Sequence, residues 1–266
     1  MKAWLGLGLT AAALLAAAFA PWLTAHDPLR ADFAAFLKPP GTPGHPLGTD
    51  QLGRDLLTRV LYGARLALLI GACTVVITAI VGGLLGLIAG FVEGWPSTVV
   101  MRIADVQLSF PFILLALTIN AIVGLGLRNI IISLSVAGWV VYARVVRGEV
   151  LSVKQRDFVH AAAALGMTRA RLLFRHVLPN VAPSIIVVAS LQFSQFIVAE
   201  AAISFLGFGV QPPTPAWGSM LSESRDFLYV AWWLAAFPGA ALALTALGVN
   251  LLGDWLRDTL DPKLRV

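Results

Sequence analysis

The chain has 266 residues, 58% hydrophobic and only 12% charged, whereas soluble domains carry roughly 45–50% apolar and about 25% charged residues. Its formal charge of +5 does not read as a nucleic-acid footprint, because the bases lie between apolar runs rather than beside aromatics on a polar face. A single cysteine, Cys73, excludes an intrachain disulfide, and four dispersed histidines give no metal-ligand spacing, which leaves a membrane protein without a metal or redox centre as the expectation.

Crossing a bilayer takes about 20 mostly apolar residues. Six runs are near that length: Ala3–Leu23, Leu66–Phe91, Ile103–Val123, Ile130–Val146, Val181–Leu206 and Val230–Leu252. The expected fold is therefore all-α, a polytopic membrane protein with six transmembrane helices. Lys2 and Ala18-Phe19-Ala20 give the first run the form of a secretory signal. Its apolar stretch exceeds a signal core, however, and Pro21 opposes cleavage, so it reads as an uncleaved span. The second run carries Gly82, Gly86 and Gly90 on one helix face, where another helix can approach closely, inside this subunit or in a partner.

Lys and Arg are enriched in cytoplasmic loops. The richest loop follows the fourth run, where Arg144, Arg147, Lys154, Arg156, Arg169, Arg171 and Arg175 face only Glu149 and Asp157. The tail adds Arg257, Lys263 and Arg265. Loop and tail are thus expected in the cytoplasm, and six crossings put the N-terminus there as well. Residues 24–65 and 207–229 then lie outside, although Arg54, Arg59 and Arg65 run against the rule. The expected organisation is an N-terminal span and outer loop over 1–65, a core over 66–256 with a cytoplasmic loop at about 148–180, and a tail over 257–266.

That loop is expected to form a helix–turn–helix. The run Ala161 to Ala164 favours helix, Gly166 can end it in a left-handed cap, and a second short helix begins at Arg169. Its Leu172, Leu173, Phe174 and Val177 are expected to seat on the bundle, and Pro179 to stop or redirect the chain before the next span. At this point the sequence resembles the integral membrane permeases of ATP-binding-cassette importers. Their loop motif reads Glu-Ala-Ala, three residues, Gly, nine residues, Ile, one residue, Leu-Pro. Ala161, Ala162, Gly166, Leu178 and Pro179 match it, while His160 replaces the Glu and His176 the Ile.

Three further blocks narrow the resemblance to the C-type subunit of the dipeptide, oligopeptide and nickel permeases. They are His45 to Asp55 with Tyr62-Gly63-Ala64-Arg65, Ser204 to Gly218, and Asn250 to Pro262. The resemblance implies a permease paired with a homologous permease, two ATPases that each grip one coupling loop, and an extracytoplasmic binding protein, all at the cell membrane. The loop residues it assigns to coupling are His160, Ala161, Ala162, Gly166, Arg169, Arg171, Arg175, His176, Leu178 and Pro179.

No phosphate loop ending in Gly-Lys-Ser or Gly-Lys-Thr occurs, so ATP is expected to be used by partner subunits and no cofactor to be held by this chain. Nor do the spans offer a paired Asp dyad, a Ser–His pair or a zinc-protease motif, so no catalytic role is expected. A secondary transporter or channel is the alternative, but clear internal repeats or broken helices are not visible in the sequence.

Individual polar residues sharpen these expectations. Gln192, Phe196, Glu200 and Ser204 share one face of the fifth run, either lining the pathway or bonding to a neighbouring helix. Asp105 and Asp254, near span ends, read as structural, with Arg102 and Arg257 nearby. His45, Asp50 and Asp55 could ligate a metal, but one imidazole among carboxylates on a Gly-rich loop reads better as a docking turn. Pro212, Pro213, Pro215 and Trp217 are expected at the membrane interface, where a binding protein could be received.

Overall fold

A computed structural model describes residues 2–92 and 94–260. Among these residues there are ten α-helices and no β-strand: α1 (Lys2–Leu23), α2 (Leu56–Phe91), α3 (Trp95–Leu108), α4 (Phe112–Val123), α5 (Leu127–Lys154), α6 (Asp157–Ala164), α7 (Arg169–Leu172), α8 (Leu178–Phe205), α9 (Trp217–Glu223) and α10 (Trp233–Leu260). Asp261, Pro262, Lys263 and Arg265, counted above in the tail and its motif, lie outside the described residues.

Close packing fixes how the helices run. A Cβ on Gly82 would fall 2.2 Å from the Trp139 carbonyl, one on Gly86 2.6 Å from that of Ala143, and one on Gly90 2.7 Å from the Val150 side chain. The three glycines therefore serve packing within the subunit, where bare backbone lets α2 and α5 touch. Both series rise together, so the two helices are parallel, and Lys154 Nζ donates to the Phe91 carbonyl at their shared end (3.3 Å). Gly6 against Leu251 and Gly248 against Leu9 make α1 and α10 antiparallel, which brings the start of α1 to the end of α10.

Because α2 and α5 are parallel, the chain between them must return across the bundle. The expected straight third span does not exist. α3 and α4 meet at a bend of 95°, and their 14 and 12 residues reach only about 21 and 18 Å, each short of a 30 Å core. Pro111 causes the break, since it lacks an N–H and disfavours helical backbone at the residue before it. Gln107 secures the first half by donating to the carbonyls of Val136 (3.0 Å) and Ala137 (2.8 Å) and accepting from the Trp139 indole (2.9 Å). Among the described residues five helices are long and apolar enough to cross a membrane singly, and the bent pair makes six when counted as one broken span, as the parallel run of α2 and α5 requires.

Other boundaries also move. α2 begins at Leu56, ten residues before the expected span, so the division at 65 falls inside a helix of 36 residues, about 54 Å long. α5 runs on to Lys154, and α10 continues into the expected tail as far as Leu260. Pro179 neither stops nor redirects the chain, which runs on through it as helix. α7, a π-helical turn at Leu173–Val177 and α8 form one continuous rod. Asp105 pairs with Arg144 rather than Arg102, and both side chains are about half exposed. Asp254 is exposed and makes no ion pair among the described residues.

Candidate functional site

Three places gather the functional residues: a hairpin at one end of the bundle, a cleft in its flank and a knot of charges at the other end. The hairpin lies where α2 and α5 end, the same end as the start of α1 and the end of α10.

Its first arm is α6, and the turn after it is built as the Ala-Gly sequence requires. Gly166 has φ +81°, a conformation open to glycine without a Cβ penalty. Met167 N–H donates to Ala162 O (3.2 Å) and Gly166 N–H to Ala163 O (3.0 Å), the paired bonds of a Schellman cap. Val159, Ala162, Leu172 and Val177 face inward, onto Leu87, Val146, Val150 and Val153. Phe174 departs from the expected seat and is exposed, as are Ala161, Arg169, Arg171, Arg175 and Pro179; Leu178 is half-buried.

The two substituted motif positions behave differently. His176 is half-buried, with its ring 6.3 Å from that of Phe158. His160 instead lines a groove of about 660 Å³ with Lys154, Arg169, Phe91 and Val92.

Leu165, immediately before the turn, is 88% exposed. With the exposed Phe158 and Phe174 it gives the hairpin an apolar tip and flank that the other described residues leave largely open. Sequence reasoning singled out neither Leu165 nor Phe158 and expected Phe174 on the inner face. The available signal was an apolar residue directly before the capping glycine, where a solvated turn favours polar ones.

In α8 the stripe of Gln192, Phe196, Glu200 and Ser204 is buried inside the subunit rather than facing a pathway. Ser204 Oγ donates to Glu200 Oε1 (2.6 Å) and accepts from Val210 N–H (3.3 Å), while the Phe196 ring fills the space over Gly138. Both of these polar bonds of the stripe stay within α8 and the turn that follows it. The neighbouring face is the open one. Leu191, Ser194 and Gln195 border a cleft of about 630 Å³ together with Pro111 and Phe112 at the bend and Asn250 of α10. Ser194 donates to Asn250 Oδ1. The cleft therefore offers amide and hydroxyl groups on an apolar wall.

At the end away from the hairpin, two of the bases that ran against the topology rule, Arg54 and Arg59, are paired and buried, while Arg65 is exposed over the Tyr62 ring. Asp50 Oδ2 binds Arg54 Nε (2.6 Å) and Arg59 Nε (3.3 Å), and Glu223 of α9 reaches Arg54 Nη2 (3.3 Å) and Gln51 Nε2 (2.9 Å). Trp217 is not an interface residue. It is 2% exposed, lies against Gly63, and donates from its indole to Val60 O (3.0 Å). Asp50 thus belongs to this knot and leaves the trio considered for a metal, while Asp55 caps α2 by accepting from Thr58 N–H (2.8 Å) and hydroxyl (2.7 Å). A second imidazole, His26, takes the vacated place beside His45 and Asp55.

Comparison with known proteins agrees with this architecture. Residues 82–266 match the family model described as binding-protein-dependent transport system inner membrane component. The di/tripeptide transport system permease protein DppC of Pseudomonas aeruginosa is 46% identical over 254 residues, 94% of this chain and 84% of that protein. The dipeptide transport system permease protein DppC of Alkalihalophilus pseudofirmus is 44% identical over 98% of this chain and 85% of its own length. The glutathione transport system permease protein GsiD of Pectobacterium atrosepticum is 44% identical over 83% and 73%. The chain accordingly belongs to the inner-membrane permease family of binding-protein-dependent, ATP-binding-cassette importers, as a subunit of the C type.

Proposed function

We propose that this permease subunit carries small peptides across the membrane, with the hairpin in the cytoplasm, held by an ATPase. The observation that carries the coupling part is the hairpin itself. Its inner face is seated on the bundle, its outer face presents Leu165, Phe158 and Phe174, and its second arm continues unbroken into α8. A push on the tip is therefore delivered to the helix that borders the open cleft. A homologous permease closes that cleft from the other side, two ATPases take one hairpin each, and an extracytoplasmic protein delivers the cargo at the charged end. ATP is bound by those partners and not by this chain.

The amide and hydroxyl groups of Gln195, Ser194 and Asn250 suit a peptide's own amides, and relatives named for dipeptides, tripeptides and glutathione support that cargo class. The bend between α3 and α4 is a feature that self-contained carriers use, yet the relatives give that reading no support.

The test is co-purification in mild detergent with the candidate ATPases, followed by ATP-dependent uptake in proteoliposomes. Gly166→Pro forces the turn to φ near −65°, which its observed +81° forbids. The variant is expected to insert and fold but to retain less than about a tenth of the ATPase, the loss that removing about 1.4 kcal/mol of contact produces. Solute uptake by the chain alone without nucleotide, or full ATPase retention by the variant, overturns the proposal.

A further inference from the structure

His26, His45 and Asp55 come from three separate stretches: just past α1, the middle of the following loop, and the N-cap of α2. One nitrogen of each imidazole and one oxygen of the carboxylate all lie within 4.8 Å of one another. His45 Nδ1 is 3.0 Å from Asp55 Oδ1, and the two imidazole rings are stacked with centroids 4.8 Å apart. We propose that these three residues form a binding site for a divalent cation of the zinc class.

Geometry and donor chemistry both fit. Bonds of 2.0–2.2 Å to nitrogen and oxygen place neighbouring ligand atoms of a tetrahedral zinc about 3.4 Å apart. The His45–Asp55 pair already stands near that spacing, so a cation can replace the proton between Nδ1 and Oδ1, which leaves to solvent. Asp55 is oriented beforehand, because its other oxygen accepts two bonds from Thr58; fixed outer hydrogen bonds of this kind tune metal ligands. His26 has to close the remaining gap and is placed to do so. Its exposed ring is tied to the backbone through one bond, Nε2 donating to the Gly44 carbonyl (2.9 Å). Two imidazoles and one carboxylate suit zinc and its neighbours, whereas calcium and magnesium seek oxygen. Solvent fills the fourth position. A bound ion would staple the end of α1 and its loop to the cap of α2, at the end of the bundle remote from the hairpin.

The experiment uses the full chain, purified on a histidine-free tag, stripped with EDTA and titrated with Zn²⁺ alone by calorimetry and elemental analysis. The wild type is expected to take up one Zn²⁺ per chain and to melt at a higher temperature as it does so, with no response to Ca²⁺. His26→Ala, a change at an exposed side chain, is expected to fold and to melt like the metal-free wild type, and to weaken Zn²⁺ binding at least about tenfold. The double variant His160→Ala/His176→Ala, which removes the hairpin histidines, is expected to keep the site. The proposal falls if the wild type binds no Zn²⁺, if His26→Ala binds it as tightly, or if the hairpin double variant loses it.

Discussion

The two ends of this bundle are both made of connecting segments, yet they are built to opposite plans. At the charged end, Asp50, Arg54 and Arg59 are drawn into the interior with the half-buried Glu223 pairing at their edge, Trp217 fills the space over Gly63, and the Trp233 indole donates to the Thr49 carbonyl (3.2 Å). The hairpin end keeps its contacts on one side only. Its inner face is apolar and seated, while its outer face carries exposed arginines and exposed apolar side chains. One end is closed on itself; the other is left unfinished for a partner. Substitutions should therefore unfold the molecule from the first end and uncouple it from the second.

The largest effect is expected at Asp50. Asp50→Ala leaves Arg54 and Arg59 buried with only Glu223 to answer them, and breaking such a pair costs roughly 3–5 kcal/mol. Loss of monodisperse protein in detergent, or a large drop in melting temperature, checks this. If Asp50→Ala melts like the wild type, the charged end is not a structural closure and the contrast fails.

Trp217→Phe should cost less, about 0.5–1.5 kcal/mol. The ring still covers Gly63, but the indole's bond to Val60 O is lost, while that carbonyl keeps its helical bond within α2. Thermal melting of this variant beside Trp217→Ala separates the bond from the packing; the alanine variant should be the less stable of the two.

Much of this contrast was legible in the sequence, and the rest failed for definite reasons. Apolar run length located the crossings, and the Ala-Gly pattern gave the hairpin's first arm and its left-handed turn. Run length cannot register a bend, so the break at Pro111 was absorbed into a single span. Nor does it register helix that extends past the apolar stretch, which is why α2 was started at Leu66 although Asp55 caps it. Helical spacing grouped Gln192, Phe196, Glu200 and Ser204 correctly on one face, but spacing does not say which neighbour that face meets. The Asp50–Glu223 knot and the approach of His26 to His45 join residues far apart in sequence, and only the packed chain brings them together.

The smallest stability change is expected at the hairpin tip, and it is the most discriminating. Leu165 touches little in its own subunit, so Leu165→Ala should alter melting by no more than about 0.5 kcal/mol, as at other exposed positions. An exposed leucine that inserts into a partner's pocket behaves otherwise in the complex, where truncating such an anchor costs about 1–2 kcal/mol. ATPase retention should then fall by roughly five- to thirtyfold, the fold-change that this energy produces. Leu165→Met, which keeps most of the apolar surface, should recover most of the retention. If alanine lowers melting as much as it lowers retention, the tip belongs to the fold rather than to the partner. If it lowers neither, the contact lies elsewhere on the hairpin, and Phe174 on the second arm is the next residue to truncate.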